Sequence, residues 1–220
     1  MQTVIPFLKK LKKNNNKAWF DANRALYDHA KKEIEELVPV LIETYGKTDI
    51  TIAHLTTKDC LFRINRDVRF SKDKSPYKTN FGIAITAGGK KSPLAGYYLH
   101  IEPGESFVGG GLWMPEALLL KQVRQEIDYN FDQFKSILKS AAFKKQYGEI
   151  YKGEDVSLSR VPKGYEPDNP AAEYLKLKSF LAMRPLSDED ISSVQLVTLA
   201  NDAFKALKPL VDFINQVHTS

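Results

Sequence analysis

The chain predicts an α+β fold: a mostly antiparallel sheet of about five or six strands, flanked by a long N-terminal helix and a long C-terminal helix. Three observations lead there. Apolar residues recur at three-, four- and seven-residue spacing near both ends, the period of an amphipathic helix. From residue 50 to residue 112 the period shortens toward two, as in half-buried strands. Within that middle part Pro103-Gly104-Glu105-Ser106 separates two strand-like runs, so a hairpin is the economical connection. The 220 residues, 43% of them hydrophobic, can bury a full core. No internal repeat and no long linker divides them, so residues 1–220 read as a single domain.

Residues 3–13 form a short helix, with Val4, Phe7, Leu8 and Leu11 on one face and Lys9, Lys10, Lys12 and Lys13 on the other. Asn14-Asn15-Asn16 ends it and supplies a cap for the next, because an asparagine side chain can accept from the free amides of a helix start. A long helix over residues 17–45 carries Phe20, Tyr27, Ile34, Val38, Leu41 and Tyr45 as its core stripe. Pro39 should kink or divide this helix, and Gly46 end it. Strands are expected over residues 50–55, 61–68, 80–87, 96–102, 107–112 and 178–184, with Gly88-Gly89 as a turn. Pro115 suits the first turn of a helix reaching Tyr129, and further helix covers 131–140 and 143–147. Residues 152–170, rich in proline and glycine, are loop. Ser187 caps the closing helix, with Asp188, Glu189 and Asp190 where the dipole favours acids. Its core stripe is Ile191, Val194, Val197, Phe204, Leu207, Val211 and Ile214, with a kink at Pro209.

The most unusual stretch is residues 63–78. Six cations (Arg63, Arg66, Arg69, Lys72, Lys74, Lys78) and two acids (Asp67, Asp73) give it a local net charge of +4. Ile64, Val68, Phe70 and Tyr77 are threaded between them, an interleaving that a solvated loop does not need and a disordered basic tail lacks. If residues 61–68 are a strand, Arg63, Asn65, Asp67 and Arg69 line one face, about 7 Å apart. Arg66 then projects from the apolar side beside Ile64 and Val68 and needs a partner, for which Asp73 or an acid on a neighbouring helix is suited. Paired arginines with an acid between them match carboxylate or phosphate, and they equally match an internal ion-pair network. The overall net charge of +5 is uneven: residues 1–91 carry +8 and residues 92–220 carry −3. A basic half favours anionic partners, although a lysine-rich surface kept for solubility also accounts for the total.

Tyr98, His100 and Glu102 share one strand face and could form an acid/base group, or an ordinary solvent-facing side of an antiparallel strand. Gly109-Gly110-Gly111 before Trp113 and Pro115 would allow close approach of a ligand, or of a neighbouring strand or helix. No dinucleotide fingerprint, P-loop, nucleophile elbow, zincin, kinase or calcium-loop motif occurs, so no metal or cofactor is expected. No apolar run approaches the ~20 residues of a membrane span. The N-terminus lacks a signal-peptide pattern, and the one cysteine, Cys60, points to a reducing cytoplasm.

The run Arg63-x-x-Arg66-Asp67-x-Arg69-Phe70-Ser71-Lys72-Asp73-Lys74-x-Pro76-Tyr77 resembles the signature of an uncharacterised, mainly bacterial family, domain of unknown function 2461. The resemblance extends to Phe7-Leu8, Trp19-Phe20, Gly96-Tyr97-Tyr98-x-His100, Trp113-x-Pro115 and Pro162-x-Gly164-Tyr165. It implies no activity. Three readings remain open. In the first, Arg63, Arg66, Arg69 and Lys74 line a cleft for a phosphorylated or carboxylated small molecule, shaped by Tyr77, His100 and Trp113, with Asp67 and His100 as the acid/base pair of any reaction. In the second, the basic half binds nucleic acid, with Phe70, Tyr77 and Trp113 stacking on bases. In the third, the motif is an ion-pair scaffold and the protein is an interaction module.

Overall fold

Val4, Phe7, Leu8 and Leu11 are buried along one side of α1 (Val4–Lys13), and the lysines face water, so the sequence stripe is the packed face. The structure, a computed structural model, describes residues 1–218. Asn16 caps α2 (Lys17–Ala22), its side chain accepting from the Trp19 amide at 2.9 Å. The expected helix over residues 17–45 is in fact two, α2 and α3 (Arg24–Tyr45). Asn23 makes the break: its side-chain amide donates to the Trp19 carbonyl at 2.9 Å, and its own carbonyl accepts from Leu26 to start the next helix. Such local bonding by asparagine competes with helix continuation. Pro39 lies inside α3 without dividing it, and Ile34, Val38, Leu41 and Tyr45 are all buried.

The sheet has four antiparallel strands, not five or six: β1 (Phe81–Ile85), β2 (Gly96–Ile101), β3 (Phe107–Leu112) and β4 (Phe180–Pro185), in the order β1-β2-β3-β4. The two expected strands that fail do so for different reasons. At residues 50–55, the Asp49 carboxylate accepts from both the amide and the hydroxyl of Thr51 and turns the chain into a 3-10 helix, Ile50–Ile52. A Thr56–Asp59 capping box then opens α4 (Thr57–Cys60). At residues 61–68 the chain is extended but its ladder is interrupted. Among the described residues, isolated bridges, Leu61 to Ile83 and Asn65 to Tyr77, join it to the returning chain, with backbone bonds from Phe62 to Gly82 (3.3 Å), Arg66 to Pro76 (2.9 Å) and Lys78 to Ile64 (2.8 Å).

Beyond the sheet's first three strands come α5 (Ala117–Tyr129), α6 (Phe131–Lys139), α7 (Ala141–Tyr147) and α8 (Ala172–Leu175). Ser187 caps α9 (Asp188–Ser192) as expected, but the closing helix is interrupted there and resumes as α10 (Leu196–Asn215). Val194 therefore falls in the break and is exposed, while Leu196 and Ala200 take buried positions.

The chain divides into two compact units. The first comprises Met1–Ser92, Tyr98–Val108 and Pro185–Asn201; the second comprises Pro93–Tyr97, Gly109–Arg184 and the stretch from Asp202. In the first, the Phe7 ring meets Phe20, Tyr27 and Phe81 at centroid distances of 6.4, 5.8 and 6.4 Å. In the second, Phe134 packs on Phe213 (5.4 Å) and Tyr174 (5.1 Å), and Tyr97 on Phe204 (5.1 Å). No described helix is long and apolar enough to cross a membrane.

Candidate functional site

In the basic stretch the alternation seen in the sequence survives, although the strand does not. Ile64 is buried and Arg66 and Val68 are half-buried, whereas Arg63, Asn65, Asp67 and Arg69 are exposed. Arg66 turns inward and closes the loop that follows. Its guanidinium pairs with the Asp73 carboxylate, donates to the Ser75 carbonyl at 3.0 Å and reaches the Ser71 hydroxyl at 3.3 Å. The Ser75 hydroxyl and amide, and then Arg66, hold the Asp73 carboxyl down at about 2. Lys74 adds a bond from its ammonium to the Val68 carbonyl at 3.1 Å. These two expected ligand-binding cations are thus engaged in holding residues 66–75 in place.

The outward set is arranged differently. Asp67 accepts from Arg69 through two guanidinium nitrogens, at 2.9 and 2.7 Å, a fork-shaped pair that lowers the Asp67 carboxyl and raises the Arg69 guanidinium. Arg63 and Lys72 are exposed and make no hydrogen bond or ion pair among the described residues. Phe70 is 95% exposed, with the Arg69 guanidinium 5.7 Å from its ring centre, and the Lys78 ammonium lies 5.2 Å from the ring centre of Phe62. Tyr77 is not at this surface. It is 7% exposed, stacked on Phe20 at 3.9 Å, and its backbone is gripped on both sides by the Asn15 amide.

On β2, Tyr98, His100 and Glu102 do form a chain of polar contacts. Glu102 Oε2 lies 3.2 Å from His100 Nε2, and its other oxygen accepts from the Thr79 hydroxyl at 2.8 Å. Burial pushes the Glu102 carboxyl up, but the Thr79 hydroxyl, His100 and Lys12 together outweigh it and hold the group below its ordinary value. An ionised carboxylate only accepts, so Nε2 is the donor in that pair. Nδ1 in turn lies 3.2 Å from both Tyr98 Oη and Asn80 Nδ2. The imidazole stacks on Phe107 at 4.9 Å. Tyr98 reaches it because Gly82 lacks a side chain: a Cβ there would lie 2.4 Å from the hydroxyl. Burial, with Glu102 adding to it, pushes the Tyr98 phenol up to about 12, so it is a donor and not a ready nucleophile.

Both nitrogens of His100 are therefore occupied, and a substrate could use Nδ1 only by displacing Asn80 or Tyr98. Asp67 is bonded to Arg69, and no hydrogen bond or ion pair joins it to His100 among the described residues. Thr79, Asn80, Gly82 and Phe107 were not singled out from the sequence. Asn80 and Phe107 open the expected strands 80–87 and 107–112, Gly82 lies inside the first and Thr79 just before it, but no sequence pattern brings them to His100 and Glu102. Trp113 lies in the second unit, 62% exposed. Two surface depressions, of about 470 Å³ beside Pro39, Ile42 and Thr56 and about 420 Å³ beside Asp128, Phe131 and Asn169, include no residue of the 63–78 stretch or of β2. The glycine run meets backbone: Cβ atoms at Gly109, Gly110 and Gly111 would lie 2.0–2.1 Å from the carbonyls of Ala182, Gly96 and Phe180.

Fold and site together define an α+β protein whose four-stranded sheet is edged by a basic hairpin with an internal arginine clamp. The family described as "Conserved hypothetical protein (DUF2461)" matches residues 3–213 of the 220, and the chain belongs to it. No curated protein matches this chain, and no solved structure does.

Proposed function

We propose that this protein binds an anionic ligand through the hairpin of residues 63–78. The observation that supports this is the division of labour among the cations. Arg66 and Lys74 hold the loop, while Arg63 and Lys72 are exposed with no hydrogen bond or ion pair among the described residues and Arg69 is paired with Asp67. A loop needs one clamp; it does not need three further cations, Arg63, Arg69 and Lys72, on its exposed side. A held backbone leaves only the side chains of Arg63 and Lys72 to be ordered on binding, which lowers the cost of meeting a phosphate or carboxylate.

A thermal-shift panel of sulfate, nucleotides, sugar phosphates and dicarboxylates tests the reading. A ligand present at a hundred times its Kd stabilises by about 2.7 kcal/mol, several degrees in Tm for a chain of this size. Such a rise is expected for at least one class, and should shrink in Arg63→Ala. No rise with any anion, or an undiminished rise in Arg63→Ala combined with Lys72→Ala, would remove the proposal. The scaffold reading keeps Arg66 and Lys74, whose partners all lie within the hairpin.

A further inference from the structure

Phe70 is the feature that anion binding leaves unexplained. A phosphate or carboxylate is met by Arg63, Arg69 and Lys72 without any ring, and a ring that is 95% exposed contributes nothing to the core. Nor is it carried on a slack loop, since Arg66 and Lys74 tie the surrounding chain through the Ser75 and Val68 carbonyls and the Ser71 and Asp73 side chains. Phe62, at the base of the hairpin, repeats the arrangement: an exposed ring with a cation beside it. Open aromatic faces alternating with cations match a ligand that itself alternates flat rings with negative charges.

Resting on the anion-binding reading above, we infer that the ligand is single-stranded nucleic acid, with Phe70 stacking on a base and Arg63 and Lys72 meeting the flanking phosphates. Unpaired bases expose the faces that stacking requires, and a duplex hides them. The Asp67–Arg69 fork keeps the Arg69 guanidinium 5.7 Å from the centre of the Phe70 ring, so a cation stands beside the open aromatic face. An anionic lipid surface fits less well. Two separate rings offer little insertion, and Asp67 and Asp73 would be carried toward the headgroups with Phe70.

The test is fluorescence anisotropy with a labelled oligothymidylate of about twelve nucleotides, within the usual range of single-strand sites, and with the same strand in a duplex. Wild type is expected to bind the single strand more tightly, with affinity falling as salt rises. Phe70→Ala should weaken binding by about tenfold or more, the scale of one lost base stack, with an unchanged Tm and salt slope, and Phe70→Trp should restore it. Arg63→Ala and Lys72→Ala should each lower the salt slope by about 0.7. If Phe70→Ala binds like wild type, or the duplex binds as well as the single strand, the inference fails, while retention on heparin would keep the anion reading. If neither heparin nor the oligonucleotide is bound, both fall. Loss of binding to phosphatidylserine vesicles in Phe70→Ala, with oligonucleotide binding intact, would replace nucleic acid by membrane.

Discussion

Glu102 organises the polar face of β2, and its behaviour with pH follows from its neighbours. Its folded pKa lies below the unfolded value of about 4.3. A carboxyl shifted this way stabilises the fold at pH above the unfolded value, and the contribution disappears as pH falls through the lower folded value. Glu102→Gln should therefore cost about 1 kcal/mol near neutral pH, where Thr79 and His100 lose a charged acceptor, and close to nothing in acid. Urea unfolding of both proteins across that range checks the sign. A cost that persists undiminished in acid would mean that the network is held by shape and not by charge. The sequence showed Tyr98, His100 and Glu102 on one face because a strand alternates. It did not show that both histidine nitrogens are taken, since Asn80 comes from the segment that leads into β1.

At the scale of elements, the hairpin depends on a side chain that looked like one more cation of the motif. Arg66 lies on the inward side of an extended segment, as alternation requires, and closes the loop through three contacts within nine residues of itself. Arg66→Ala is expected to speed amide hydrogen exchange across residues 67–75 several-fold while the amides of β1 and β2 stay protected. Equal protection of the loop in the variant would assign the closure to backbone contacts. Much of this was legible, including the need for an acidic partner, with Asp73 one of the two sources expected beside an acid on a neighbouring helix. The interrupted ladder was not, because periodicity reports which face is buried and says nothing about whether hydrogen bonds continue. The same limit applies at residues 50–55, where apolar alternation was overruled by the Asp49 cap.

For the whole molecule, β3 is the strand that cannot be altered cheaply. Its glycines sit where carbonyls of the neighbouring strands occupy the Cβ positions, and Gly110 and Gly111 have φ of 148° and 116°. Gly110→Ala adds a methyl that would lie 2.1 Å from the Gly96 carbonyl with no flexible side chain to move aside. A loss of about 3 kcal/mol or more is expected from overpacking and strain together, read as a lowered urea midpoint. A midpoint within error of wild type would show that the sheet can open locally at little cost.

By itself the sequence determined the α+β class, the helix at each end, the four strands that exist and their hairpin, the family, and the division of the basic stretch into inward and outward sets. These are consequences of local chemistry, namely period, caps and turn residues, which act within a few residues along the chain. Tertiary structure decided which extended segments complete a ladder, that Tyr77 belongs to the core against Phe20, that the glycine run admits backbone and not ligand, and which partners occupy His100. Each of these depends on atoms that are distant in sequence and meet only when the core has packed, so no pattern along the chain could have carried it.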